Sequence, residues 1–289
     1  MAFELSTPTV GELGDLVDTL RVWQLESFPL QLHPGDVGWL WRFGAEATAA
    51  AIRVWSRDGK VLAIGMLDGA DLLRMTVAPE AWRDGELAHW VVADLSEPDR
   101  GVLPSGAVSV EAPTGSRAQE LLSDVGWTTG EPWTPLRRDL TEPVDVSGTR
   151  VEVIGAERIS DFTAIIRSAF DSERFTDDRW RDMATGVPFV DARCLLAFGD
   201  KDTAVAAVTV WSSGKGRPGL IEPMGVHSDH RGRGYGRAIC LAGAAELRAM
   251  GSSSAVVCTP SALVGAVATY TAAGFEPEAT RFDRSRGGS

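Results

Sequence analysis

Cysteine, histidine, tyrosine and lysine are all scarce in this sequence, at three, four, two and three residues of 289. The cysteines (Cys194, Cys240, Cys258) are odd in number, dispersed and set in apolar context. That pattern implies no disulfide framework, and no metal-ligand spacing is present, so no metal is expected. No run of eighteen apolar residues occurs, so no membrane-spanning helix is expected. The N-terminus, MAFELSTPTVGELGDL, is acidic and lacks the basic start and apolar centre of a secretory signal. A cytoplasmic protein without a membrane segment is the plain expectation.

Positive charge is short as well. The net charge is −12, which argues against a nucleic-acid surface, because binding phosphates along a backbone requires a basic face. The deficit is uneven. Residues 1–145 carry 23 acidic and 11 basic side chains, whereas residues 146–289 carry 17 of each. All the excess negative charge lies in the first half, and the second half has none to repel an anionic ligand.

At this length two domains are comfortable. Periodicity places a strand and an amphipathic helix in residues 3–20, followed by loop and short helix through the Trp-rich stretch 23–41. Strands follow at 51–55, 61–67, 72–77 and 107–111, with helices at 81–95 and 117–125. Gly126 stands at the C-cap of the latter. The Pro/Thr/Glu/Asp stretch 134–148 reads as a linker. The second half repeats the order: strand 151–154, helix 159–170, a helix around 180–183, strands 194–198, 204–211 and 220–226, a helix after 235, strand 255–258 and helix 263–273. The expected division is 1–140, 149–282 and a polar, flexible tail over 283–289.

The segment that carries chemistry is Leu220–Met250, an apolar strand, a loop with glycines at 232, 234 and 236, and a helix. A helix start presents N–H groups without intrahelical partners and the positive end of the dipole. Glycines allow a diphosphate close to that backbone. Arg231, Arg233 and Arg237 add charge around the same turn. A P-loop is excluded because no Lys-Ser or Lys-Thr follows the glycines. A dinucleotide fingerprint is excluded because the glycine spacing is wrong and the next strand ends in Thr259-Pro260 rather than an acid.

The pattern R-x-x-G-x-G from Arg231 to Gly236, five residues after Val226, resembles motif A of the GNAT acyltransferase superfamily. Tyr270-Thr-Ala-Ala-Gly274-Phe275 is similar to the Y-x-x-x-G-F ending of that fold. The resemblance implies an α/β fold with a mixed sheet, acetyl-CoA as co-substrate, and direct transfer to an amine in a ternary complex. By the same resemblance Gly232, Gly234, Tyr235 and Gly236, with the three arginines, hold the diphosphate. Met224, Gly225 and Val226, on a strand interrupted by Pro223 and Gly225, offer backbone to the thioester arm. Tyr270 matches the family's general acid, a core tyrosine beside Phe275 being the plainer alternative. Glu222 lies where the family often places a carboxylate base, although the sequence leaves open which way its side chain points. His227 and His230 read as capping or surface residues. Leu263 departs from the family's usual asparagine, and Ser228 from its usual proline.

Laying the halves on each other at an offset near 149 puts Val77 on Val226 and Gly85 on Gly234. Trp82 then stands for Arg231, Leu87 for Gly236 and Leu122 for Tyr270. The first half therefore resembles a GNAT domain that kept its packing and lost its cofactor motif, as in tandem GNAT chains of the type that includes mycothiol synthase. The expected partner is a small-molecule or peptide amine, with a cationic one favoured by the acidic first half. A non-catalytic acyl-CoA-binding protein, and a mycothiol-synthase-type enzyme, are the competing readings.

Overall fold

A computed structural model describes residues 3–146 and 148–287. The first lobe runs β1 (Phe3–Ser6), α1 (Leu13–Trp23), α2 (Pro34–Leu40), α3 (Ala45–Ala51), β2 (Ile52–Arg57) and β3 (Lys60–Leu67). It continues with β4 (Leu72–Val77), α4 (Gly85–Ser96), β5 (Val108–Glu111), α5 (Arg117–Asp124) and β6 (Thr128–Asp139). The second lobe runs β7 (Arg150–Val153), α6 (Ile159–Phe170), α7 (Asp177–Ala184), β8 (Ala192–Phe198), β9 (Ala204–Trp211) and β10 (Gly219–Val226). It ends with α8 (Tyr235–Ala249), β11 (Ser254–Pro260), α9 (Val264–Ala272), β12 (Glu276–Pro277) and β13 (Arg281–Arg286). Local chemistry sets several of these starts. The Thr176 hydroxyl accepts the Arg179 N–H at α7, and the Ser116 hydroxyl accepts the Gln119 N–H at α5. Gly126, at φ +94°, turns the chain out of α5 as its sequence position suggests.

The strands form one mixed sheet in the order β1-β2-β3-β4-β5-β13-β6-β11-β10-β9-β8-β7. Counted outward from its centre the order is nearly symmetric, each lobe contributing a meander, one parallel pair and a last long strand. The last strands are exchanged: β13 of the second lobe pairs with β5, and β6 of the first lobe pairs with β11 along its full length. Helices cover both faces. In the second lobe α8 and α9 bury one side, while α6 and α7 bury the other around Phe162, Trp180 and Met183.

Two sequence expectations are corrected here. Thr134–Asp139 is not linker but the second half of β6, so the connection narrows to residues 140–149. Its prolines and acidic neighbours have poor strand propensity, but β11 on one side and β12 and β13 on the other supply pairing that overrides it. The tail 283–289 is not free either, since residues 283–286 lie in β13 between β5 and β6. The Arg286 guanidinium donates to the carbonyls of Ser96 and Pro104, each at 2.6 Å. Gly288 and Ser289 lie outside the described residues.

The lobes meet through glycine–tryptophan contacts. A Cβ added to Gly35 or Gly38 of α2 would lie within 2.6 or 2.3 Å of the Trp211 ring, and one added to Gly186 would lie 2.7 Å from Trp41. Beside them the buried His33 ring accepts the Gly35 N–H (2.9 Å) and meets the Ser213 hydroxyl (2.5 Å). Burial lowers His33 to about 3, so it stays neutral. Gly38→Ala is expected to destabilise the protein by about 1–3 kcal/mol through overpacking. Thermal unfolding checks this, and an unchanged midpoint would mean that Trp211 is not locked between the lobes.

Candidate active site

β10 pairs with β11 only through Gly219 and Leu220, after which the two strands diverge. On its other side β10 keeps β9, but the register shifts between Ile221 and Met224, leaving Glu222 and Pro223 at the bulge. Met224, Gly225 and Val226 therefore have β9 on one side and no strand on the other, the open edge expected from Pro223 and Gly225. Gly225 serves packing as well, because a Cβ there would lie 2.5 Å from Ala169 Cβ on α6.

The chain then makes a short turn at Ser228–His230, capped by the His227 ring, which accepts the Asp229 N–H at 3.3 Å. Gly232 and Gly234 take φ of +75° and +84°, conformations that cost glycine little. The first backbone hydrogen bond of α8 runs from the Ala238 N–H to the Gly234 carbonyl at 3.1 Å. Among the described residues, the N–H groups of residues 232–237 make no hydrogen bond to the protein. Six consecutive donors at the positive end of a 15-residue helix are an anion site in waiting.

Arg231 donates to the Ala169 carbonyl (2.8 Å) and Arg237 to the Ala272 carbonyl (2.9 Å), so both fasten the loop to its neighbours. Arg233 is exposed beside the turn. Gly236 is needed by packing, since a Cβ there would stand 2.8 Å from Thr269 Cγ2 on α9. Tyr235 is half-buried against the second-lobe core, its ring 6.4 Å from that of His230.

Tyr270 on α9 is 6% exposed and packs edge-on to Phe275 with centroids 5.9 Å apart. Its hydroxyl has no hydrogen-bond partner among the described residues. Burial, with smaller contributions from Cys240, Glu222 and Cys258, holds the phenol well above its ordinary pKa. Tyr270 is thus a core residue beside Phe275, the plainer of the two alternatives, and its proton stays on.

Glu222 is positioned from both lobes. The Trp211 indole donates to its carbonyl at 2.6 Å, and the same indole is held by Gly35 and Gly38 of the first lobe. The carboxylate is 31% exposed and lies 3.9 Å from Nη1 of Arg74, also of the first lobe. Burial raises its pKa above the usual carboxylate range, with Arg74 the main opposing influence. Around Arg74 stand Asp36, Asp68 and Glu111, and Arg281 of β13 binds Glu111 at 2.7 Å. Sequence reasoning missed this cluster. The local signal is a single charge in each of two otherwise uncharged strands, Arg74 in LLRMTV and Glu111 in VSVE.

The corresponding turn of the first lobe is closed by its own side chains. Asp84 caps α4, its carboxylate accepting the Leu87 N–H at 3.0 Å and pairing with Arg57 at 3.0 Å. The Trp82 carbonyl accepts the Arg117 N–H at 2.9 Å, and the Trp82 ring packs edge-on to Phe28 at 4.7 Å. Leu87 is 2% exposed, in the core. A carboxylate therefore stands at this helix start, whereas the other is open. Among the described residues no cluster of His, Cys, Asp and Glu could hold a metal, and no helix is long and apolar enough to cross a membrane.

The model of the Acetyltransferase (GNAT) family matches residues 159–275. No curated protein matches the chain. Among solved structures, a GCN5-related N-acetyltransferase from Sphaerobacter thermophilus is 19% identical with a TM-score of 0.60, over 98% of this chain and 95% of that one. A tandem GNAT protein from the clavulanic acid biosynthesis pathway is 16% identical with a TM-score of 0.63, over 100% and 99%. A GNAT-family acetyltransferase from Colwellia psychrerythraea is 14% identical with a TM-score of 0.61, over 99% of each chain. At such identities the likeness shows the fold, and it extends over both lobes. The protein is thus a mixed α/β chain with the tandem GNAT fold, and residues 159–275 of its second lobe match the model of the GNAT acetyltransferase family.

Proposed function

We propose that the protein is an acetyl-CoA-dependent N-acetyltransferase whose cofactor binds the second lobe alone. The observation that carries the proposal is the run of unsatisfied N–H groups at 232–237, set against the carboxylate-capped start of α4. The diphosphate lies on that run, and the pantetheine arm extends along the open edge of Met224–Val226 as an added strand. The acceptor is a small-molecule or peptide amine entering by Glu222. Its ammonium gives a proton to the Glu222 carboxylate, which burial makes more basic than an ordinary carboxylate. The freed nitrogen attacks the thioester carbonyl, the C–S bond breaks, and the proton the nitrogen then loses ends on the departing thiolate, either directly or by replacing the one that Tyr270 gives it. The carboxylates around Arg74 favour a cationic acceptor.

Thiol release from acetyl-CoA over a panel of amines tests the reading. Release with at least one amine is the expected result. Tight acetyl-CoA binding without release across cationic, neutral and peptide amines would instead support a non-catalytic acyl-CoA-binding protein.

A further inference from the structure

Arg74 lies on β4 with Met66 of β3 on one side and Glu111 of β5 on the other, so its backbone is fixed by two neighbours. Its guanidinium gathers carboxylates from four separate places. Asp36 Oδ1 on α2 accepts Nη1 at 3.0 Å, and Asp68 Oδ2, just after β3, lies 3.0 Å from Nε. Glu111 Oε2 is at 3.7 Å and Glu222 Oε1, on β10 of the other lobe, is at 3.9 Å. Three of these acids have further anchors or stand next to one. Asp36 also accepts the His33 N–H at 2.6 Å, Glu111 is bound by Arg281 at 2.7 Å, and Asp68 donates its own N–H to the Leu72 carbonyl at 2.9 Å. The Glu222 side chain has no such second hold. Among the described residues, Arg74 is the one cation within 4 Å of it.

We propose that Arg74 is the positioning residue for Glu222, a first-lobe guanidinium that orients the carboxylate on which second-lobe chemistry depends. The proposal rests on reading Glu222 as the proton acceptor. It also gives the first lobe, whose own cofactor turn is closed, a part in the reaction. The charged and titratable groups around Glu222 are Asp36 of α2, Arg42 in the turn after it, Asp68, Arg74, Glu111 of β5, Cys258 of β11, Tyr270 of α9 and Arg281 of β13. Of the positive members, Arg74 acts most strongly on Glu222.

The test is an NMR titration of the full chain carrying glutamate labelled with ¹³C at the side-chain carboxyl, the Glu222 signal being assigned by its loss in Glu222→Gln. In Arg74→Met the Glu222 midpoint is expected to rise by about one pH unit or more, because an opposite charge at this range favours the ionised form by that order. In Arg74→Lys the shorter side chain keeps its charge but stands farther off, so the midpoint is expected between wild type and Arg74→Met. A merely structural role for Arg74 would lower the unfolding midpoint and leave the Glu222 titration in place, and that result overturns the proposal. If circular dichroism shows Arg74→Met unfolded, Arg74→Lys decides alone: a raised midpoint supports, an unchanged one refutes. The titration needs no turnover, so failure of the acetyltransferase reading, seen as no thiol release with any amine, and failure of the base assignment, seen as undiminished release by Glu222→Gln, are separate outcomes.

Discussion

Gly234→Asp is expected to weaken acetyl-CoA binding at least about 100-fold while the fold survives. The substitution copies into the second lobe the device that closes the first, a carboxylate at the helix N-cap as at Asp84. A carboxylate there would take up the free N–H groups and oppose the diphosphate. Like charges brought together in this way cost several kcal/mol, and each 1.4 kcal/mol is about tenfold in affinity. Sterics do not confound the result, because a Cβ at Gly234 meets nothing within 4 Å. Backbone strain at φ +84° is common to an aspartate and an asparagine at this position and cancels between them. Gly234→Asn is the matched control, equal in shape and tolerance of that φ but uncharged, and it is expected to bind within about tenfold of wild type. Calorimetric titration with acetyl-CoA measures both. Equal losses in the two variants would assign the effect to shape and remove the electrostatic argument. Asp84→Asn, in the first lobe, is expected to leave the affinity unchanged.

Glu222→Gln is expected to lower turnover about 100- to 10,000-fold, the usual worth of a positioned general base, with acetyl-CoA affinity within twofold of wild type. The split follows from geometry. Trp211 holds the backbone carbonyl of residue 222 whatever its side chain, so the bulge and the open edge of β10 persist. Only the proton acceptor is lost. The pH profile carries a second signature. A base must be ionised to work, so wild-type activity rises with pH through a midpoint above the ordinary carboxylate range, because burial raises Glu222. In the variant that limb disappears. Persistence of the limb would assign it to another group, and a rise in the acetyl-CoA dissociation constant matching the loss of rate would make Glu222 a binding residue instead.

The cofactor turn was legible because its determinants are local. Arg231–Gly236 holds two positive-φ glycines, Gly232 and Gly234, and a helix start within six residues, and no distant contact is needed to form them. The Asp84 cap is local too, an aspartate three residues before Leu87 at a helix start. What the sequence did not disclose is non-local. The exchange of β6 and β13 depends on partners more than 100 residues away, and the prolines of β6 and the charges of β13 mislead any local reading. The ion cluster that meets Glu222 is likewise assembled across the chain, from Asp36 to Arg281. Arg74 and Glu111 are the lone charges of β4 and β5, but nothing local places them in one site with residue 222. The roles of Gly236 and Gly225 shifted for the same reason, since Thr269 and Ala169 come close only in the folded chain.

A crystal structure with acetyl-CoA tests the central claim most directly. The account predicts one cofactor per chain, its diphosphate oxygens about 3 Å from N–H groups between residues 232 and 237. Density for the diphosphate at the start of α4, beside Asp84 and Gly85, or no cofactor in either lobe at saturating concentration, would contradict it.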